Sequence, residues 1–396
     1  MKTINLFLAF ALLLFFTSCE KGDDTSTRPS AGNALDLSSS EFVGGSSGGS
    51  SSGNGGGEES GLITAAEWND LENWSYWTNI IETNEEFVSL PDTWGFYTYN
   101  RIAVHVNNNG SDLVDAEVEL LENGRTIWKS RTDNFGNAEL FINTFEDNTD
   151  INLESYQVRV NGELVSNNLK LFEFGKNEIN TTSFSQVPNR VELAFIVDAT
   201  GSMGDEIEFL KKDLEDVIQR VQSKNPQNDV VTSSVFYRDE GDDYLTRISD
   251  FQSISNTINF INDQAAGGGG DFPEAVHSAL NDGIDELSWS KSAKTRIAFL
   301  LLDAPPHNRQ DVINDLQNSI KAAAENGIKI IPITASGIDK STEYLMRSFS
   351  ILTNAPYVFI TNDSGIGNPH LEATVGDYEV EFLNDLMVRL ISKYSE

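Results

Sequence analysis

The chain has 396 residues, 39% of them hydrophobic and 10% aromatic, which is enough for two or three cored domains and not the composition of a disordered acidic polymer. Its 61 acidic against 27 basic residues give a formal charge of −34, which excludes nucleic acid or an anionic lipid surface bound through a basic face. Cys19 is the single cysteine, so no disulfide forms within the chain and its folds must rest on packing.

Lys2 opens a charged start, and Leu6 to Phe16 is a continuous apolar run too short to stay in a bilayer as a spanning helix. The run ends in Phe16-Thr17-Ser18-Cys19, which resembles the lipobox of bacterial lipoproteins, with Phe16 where that motif has an aliphatic residue. The resemblance implies that residues 1–18 are a signal peptide and that Cys19 is acylated, palmitate included. It implies an outer-membrane lipoprotein of a Gram-negative bacterium, held by several acyl chains. Glu20-Lys21-Gly22-Asp23-Asp24 is similar to the acidic signals that carry some lipoproteins to the outer face, though Gly22 interrupts it. Residues 19–61 then read as a tether: Ser and Gly dominate from Ser38 to Gly57, with Phe42 and Val43 as the sizeable apolar residues. A coil of this length and composition has a root-mean-square reach of roughly 35 Å.

Residues 62–100 read as a helical lead-in. Thr64-Ala65-Ala66-Glu67 has the form of a capping box, and Trp68, Leu71, Trp74, Trp77 and Ile81 follow at helical spacing. Five of the six tryptophans lie between Trp68 and Trp128, and the expectation is a helix clamped over a sheet, not an aromatic ligand platform. Residues 101–186 alternate with period two. Ile102, Val104 and Val106 precede an Asn109-Gly110 turn; Ala116, Val118 and Leu120 precede an Asn123-Gly124 turn into Thr126-Ile127-Trp128. Further strands are expected over 138–141, 156–160, 169–174 and 178–182, which together predict a small antiparallel β-sandwich. The stretches 114–120 and 132–138 resemble the carboxypeptidase-regulatory-like sandwich family, a resemblance that implies a spacer or adhesive module without catalytic residues.

Over 188–396 apolar runs alternate with helical patterns, the signature of a doubly wound, Rossmann-like α/β domain. Strands are expected at 191–197, 230–237, 244–248 (an edge), 296–302 (central), 329–334 and 357–360. Helices are expected from 207 to 221, over 254–262, 275–287, 312–325 and 342–352, and around Val380 to Ile391. In such sheets ligands bind beyond the carboxyl ends of the strands. Asp198, Thr200 and Ser202 leave the first strand, Asp303 ends the central one, and Gly267–Glu274 opens a helix. These are hard oxygen donors suited to Mg²⁺, Mn²⁺ or Ca²⁺, and their small number leaves an open coordination position, which favours Mg²⁺.

The run Asp198-Ala199-Thr200-Gly201-Ser202-Met203 resembles the D-x-S/T-x-S motif of the von Willebrand factor type A (vWA) family. The blocks Gly268-Gly269-Gly270-Asp271-Phe272-Pro273-Glu274 and Leu301-Leu302-Asp303-Ala304-Pro305-Pro306-His307 are similar to those of one branch of it. The resemblance implies a metal-ion-dependent adhesion site. Thr200 and Ser202 would ligate the cation, Asp198 would act partly through water, and Asp303 would be the acid of the later loop. A threonine is usual on the middle loop; here Asp271 is the nearest donor. The acidic loop 238–243 is read as solvated and His307 as a surface histidine. Enzyme chemistry is not expected: Ser202 lacks the G-x-S-x-G frame, the glycine run lacks a following Lys-Ser/Thr, and four scattered histidines make no zinc site. The expected function is metal-dependent binding of a protein partner, whose Asp or Glu could complete the ion's shell; were Asp271 to bind directly, the site would carry three carboxylates and be less receptive to an acidic group. The alternative is a structural envelope component that uses the fold without metal.

Overall fold

The structure is a computed structural model that describes residues 61–396, apart from 167, 185, 225 and 366–368. The readings made on residues 1–60, Cys19 and its lipid included, lie outside the described residues. In chain order the elements are β1 (Thr64–Trp68), α1 (Trp74–Thr83), α2 (Leu90–Trp94), β2 (Asn100–Asn108), β3 (Ser111–Asp112), β4 (Glu117–Glu122), β5 (Arg125–Arg131), β6 (Asn137–Ile142), β7 (Tyr156–Val160), β8 (Glu163–Ser166), β9 (Asn177–Asn180) and β10 (Arg190–Asp198). There follow α3 (Ile207–Lys224), β11 (Asp229–Tyr237), β12 (Thr246–Gln252), α4 (Ile254–Asn262), α5 (Val276–Asn281), β13 (Thr295–Leu302), α6 (Gln310–Asn326), β14 (Ile328–Thr334), α7 (Lys340–Leu352), β15 (Tyr357–Ile360), β16 (Val380–Phe382) and α8 (Leu383–Ser395). Among the described residues no helix is long and apolar enough to cross a membrane.

The described strands form three sheets, the largest with the order β12-β11-β10-β13-β14-β15-β1-β16. Strands β11, β10, β13, β14 and β15 are parallel, and β12 and β1 flank them antiparallel. A parallel sheet must be covered on both faces, and the side chains of its strands alternate between two cores. In β10, Val191, Leu193, Phe195 and Val197 enter one core and Ala194 and Ile196 the other. In β13 the same split sends Ile297, Phe299 and Leu301 one way and Ala298, Leu300 and Leu302 the other. Helices α3 and α8 cover the first face, and α5, α6 and α7 the second.

The lead-in differs from the sequence expectation. Residues 64–68 are not the cap and first turn of a helix but strand β1, paired with β15 and β16. The reason lies in the burial period. Ile63 and Ala65 enter one core while Ala66 and Trp68 enter the other, so the segment has an apolar side chain for both faces of the sheet. The helix begins only at Trp74, after an Asn69 turn in which the Asn69 carboxamide accepts from the Leu71 N–H at 3.0 Å. The tryptophans act as a clamp: Trp77 is fully buried, stacked on Tyr344 of α7 at 5.6 Å, and donates its indole N–H to Thr98.

The other described strands form two four-stranded sheets, β3-β2-β6 with β9 beside β2, and β5-β4-β7-β8. Their hairpins turn at Asn109-Gly110, Asn123-Gly124 and Asn161-Gly162, where both residues of each pair hold φ between 48° and 87°, the left-handed conformation that Asn-Gly two-residue turns favour. Two expectations fail here. Residues 169–174 carry no strand but a short 3-10 turn at Phe172–Phe174, which lays Phe172 under the Arg101 guanidinium at 3.8 Å. Strand β9 runs parallel to β2, so this part is not wholly antiparallel.

Buried ion pairs join these parts to the large sheet. Arg347 of α7 is fully buried and donates to both oxygens of Asp70, at 2.9 and 2.6 Å, and to Glu343 at 3.1 Å. Arg296 of β13 donates to Asp115, which also takes Arg131 of β5 at 2.7 Å. Removing one partner of a buried pair strands the other charge. Arg347→Ala should therefore lower stability by about 3–5 kcal/mol, measured by urea unfolding; a loss indistinguishable from that of a surface substitution would show that Asp70 and Glu343 find other partners.

Candidate metal centre

The register of the parallel strands builds the site. Val197 of β10 stands beside Leu301 of β13, so Asp198 and Asp303 leave the same end of the sheet from adjacent strands. Both side chains are buried. Asp198 Oδ1 accepts the Thr200 N–H at 2.9 Å and the Thr200 hydroxyl at 2.7 Å, which folds the loop back over the strand end. The Thr200 and Ser202 hydroxyls lie 3.1 Å apart, with Thr200 buried and Ser202 exposed. Four of the five expected donors, Asp198, Thr200, Ser202 and Asp303, are thus brought together. The fifth, Asp271, is exposed and only lines the mouth of a cavity of about 220 Å³ shared with Ser202, Asp303, Glu274 and the exposed Phe272.

The glycine run is explained by close approach. Gly201 N–H donates to the Gly268 carbonyl, and Gly267 N–H to that of Ala199. A Cβ on Gly201 would sit 2.9 Å from the Gly268 oxygen, so neither loop admits a side chain at that crossing. Gly269 donates its N–H to Asp242 at 2.8 Å, and Arg238 reaches the Ala199 and Ala265 carbonyls. The acidic loop is therefore not simply solvated, since Asp239 is buried and Asp242 holds the glycine run. Nor is His307 a free surface histidine. Its Nε2 lies 2.7 Å from Asp239 Oδ1 and pins the loop after Asp303 to the loop after β11.

The sequence reading missed Glu274. It is buried, its N–H donates to the Pro305 carbonyl at 2.8 Å, and it lines the same cavity. Its signal was an acid immediately ahead of an apolar helix start, Ala275-Val276, where a buried position normally carries no charge. Glu206, behind Asp303, is also buried and accepts the Ser336 hydroxyl at 2.6 Å, with His370 Nε2 3.2 Å away.

The electrostatics are those of acids crowded out of water. Burial, then the charge of Asp303, pushes Asp198 up from the ordinary carboxylate range against the hydrogen bonds from Thr200. Burial also raises Asp303, with Glu206 adding to it and Ser202 opposing. Glu274 is pushed up to about 9, by burial first and then by Asp198, Asp239 and Asp303. Three buried oxygens, Asp198 Oδ2, Asp303 Oδ1 and Glu274 Oε2, have no hydrogen-bond partner. Such oxygens are costly unless they meet a proton or a cation. Carboxylates with two hydroxyls fit a hard divalent ion. Among the described residues no three acids or histidines form a ready ligand cage by themselves.

A pH dependence follows. An acid whose pKa is higher folded than unfolded favours the fold when protonated, and that contribution is lost as pH rises through the folded value. For Glu274 the window runs from the model-peptide value of 4.5 to about 9. In a chelator the melting temperature should fall by several degrees between the lower and upper parts of that window, and saturating Mg²⁺ should restore it at the upper end. A metal-free melting temperature that rises over the same window would contradict the crowding of these acids.

Comparison with known proteins bears on the same loops. A stretch of 131 residues is 34% identical to a putative ariadne-like RING finger protein of Acanthamoeba polyphaga mimivirus, covering 33% of this chain and 12% of that protein. A stretch of 157 residues is 31% identical to the alpha-protein kinase vwkA of Dictyostelium discoideum, covering 39% of this chain and 24% of the kinase. The chain thus spans a quarter or less of the length of these relatives. The solved structure of proximal thread matrix protein 1 from the mussel byssus superposes on 53% of this chain and 46% of that one, at 14% identity and a TM-score of 0.34. Residues 192–365, which carry Asp198, Thr200, Ser202, Asp271 and Asp303, match the von Willebrand factor A domain, a module that commonly mediates protein–protein interaction and is not usually catalytic.

Proposed function

We propose that this protein is a lipid-anchored binding protein of the cell envelope, whose von Willebrand factor A domain grips a protein partner through a divalent cation, Mg²⁺ or its analogues Mn²⁺ and Ca²⁺. The observation that carries this reading is the pair of buried, unpartnered oxygens, Asp198 Oδ2 and Asp303 Oδ1, beside the hydroxyls of Thr200 and Ser202. Asp198 orients Thr200 through two hydrogen bonds. Asp303 and Asp198 leave the same end of adjacent strands, and the exposed Ser202 lines the cavity there, where a partner's oxygen would approach. The ion, when bound, supplies the positive charge that these oxygens lack and an electrophilic point for the partner. The exposed Phe272 at the same mouth offers an apolar contact beside it.

The remaining parts of the reading concern placement. Cys19 would carry the lipid that holds the chain to the outer membrane of a Gram-negative bacterium, facing outward, with residues 19–61 as the tether. The two small sheets, similar in sequence to the carboxypeptidase-regulatory-like family over 114–120 and 132–138, would serve as a spacer.

The test is metal dependence. Mg²⁺ or Mn²⁺ should raise the melting temperature of the wild-type chain by several degrees at saturation. Asp198→Ala should abolish that rise while it keeps a native circular dichroism spectrum, because it removes a ligand and also one of the crowded charges. Partner capture should be lost in excess EDTA and in the variant alike. Absence of any thermal shift or heat of binding would favour a structural envelope component that uses the domain without metal.

A further inference from the structure

Resting on the reading above, we infer that Glu274 is the third carboxylate facing the cation and that it makes the site select a neutral oxygen, not a carboxylate, from the partner. The middle loop offers two acids, and the structure separates them sharply. Asp271 points to solvent, where water and salt screen it. Glu274 is buried, its main chain is fixed by the Pro305 carbonyl and by a bridge to Pro306, and its Oε2 has no partner. A Cβ on Gly269 would meet Glu274 Oε1 at 2.9 Å and the Thr200 Cβ at 3.3 Å, so the Glu274 carboxylate and Thr200 flank the same glycine.

Among the described residues no ion pair reaches Glu274. The nearby bases are committed elsewhere: Arg238 to the Ala199 and Ala265 carbonyls, Arg309 to Glu240 and Asp311. A buried carboxylate without a counter-charge, sharing a cavity with Asp303 and Ser202, is placed to face a cation there. The three acids do not form a cage by themselves, and Glu274 is assigned as a charge facing the ion, not a direct ligand, on its place beside Thr200 at Gly269 and in the cavity of Ser202 and Asp303. The formal balance then decides specificity. Once the ion has displaced the proton that Glu274 holds without it, a doubly charged ion faced by the carboxylates of Asp198, Asp303 and Glu274 leaves a centre with one net negative charge. A partner carboxylate would be repelled at short range in a low-dielectric pocket, whereas a backbone carbonyl, side-chain amide or hydroxyl would complete the shell without that cost. This departs from the expectation of an acidic partner residue.

The experiment is calorimetric titration of Mn²⁺ into the metal-free full chain, comparing wild type, Glu274→Gln, Asp271→Asn and Asp198→Ala. Glu274→Gln should weaken Mn²⁺ by about tenfold or more, while Asp271→Asn should stay within about threefold. If Asp198→Ala loses the site and Glu274→Gln stays within about threefold of wild type, the role of Glu274 is overturned and the metal reading stands. If wild type takes up no Mn²⁺, or Asp198→Ala binds it as wild type does, the metal reading falls and this one with it. A second arm needs no variant that might misfold: acetate, against chloride at matched ionic strength, should leave wild-type Mn²⁺ affinity unchanged. Tightening of wild-type binding by acetate would overturn the selectivity. Tightening confined to Glu274→Gln, whose centre is neutral, would support it.

Discussion

Two carboxylates that end adjacent parallel strands cannot avoid one another. The register that pairs Val197 with Leu301 also puts Asp198 and Asp303 at one end of the sheet, under loops that exclude water. Like charges at short range in a medium of low dielectric repel strongly. The fold therefore fixes, through its backbone, a crowding of charge that its own side chains relieve only in part, Thr200 and Tyr237 at Asp198 and Ser202 at Asp303. Thr200 satisfies one oxygen of Asp198 twice over and leaves the other without a partner. The loops around the strand ends are organised about this crowding.

The glycine run and the acidic loop are parts of that organisation. Backbone N–H groups and carbonyls cross at Gly201 and Gly268 without room for a side chain. Asp242 ties down Gly269, and Asp239 with His307 ties the loop after β11 to the loop after β13. Each contact fixes a loop that carries a donor, so the donors are positioned by main chain and not by long flexible side chains. Such positioning keeps the ordering entropy of the site out of the binding step. Acids at this end of the sheet differ in what their oxygens meet: Asp242 accepts the Gly269 N–H, whereas Asp198, Asp303 and Glu274 each keep one buried oxygen without a hydrogen-bond partner, in Asp198 beside an oxygen that accepts twice from Thr200.

How much of this could be read from the sequence depended on how local the cause was. The parallel strands were legible because burial on both faces writes continuous apolar runs, as in Ala298-Phe299-Leu300-Leu301-Leu302. The first-loop cluster was legible because Asp198, Thr200 and Ser202 stand at alternate positions of one turn. Strand β1 was not, because Thr64-Ala65-Ala66-Glu67 satisfies a helix-start pattern locally and becomes a strand only by pairing with β15, nearly three hundred residues later in the chain. Likewise Leu169 to Phe174 has the apolar content of a strand, yet Phe172 is claimed by the Arg101 guanidinium. The choice between Asp271 and Glu274 was also non-local. Both follow the glycine run, and only the bridge to Pro306 and the carbonyl of Pro305 turn the second one inward.

The two small sheets bear on how the site is presented. A spacer joined by a loose linker would leave the Asp198 and Asp303 end of the domain free to tumble. Here the attachment is through desolvated charge. Asp115, in the turn ahead of β4, takes Arg131 from β5 and Arg296 from the central strand β13, and Asp70 and Glu343 clamp Arg347 beneath the lead-in. Lys329 of β14, also buried, faces Asp133 from the small sheets at 3.5 Å. Buried pairs of this kind add little net stability against an apolar alternative, but they are highly specific in geometry, because any relative shift strands a charge out of water. The small sheets, the lead-in and the large sheet are thus locked in one register. The Asp198 and Asp303 ends of β10 and β13 are oriented by the same strand, β13, whose opposite end holds Asp115 through Arg296.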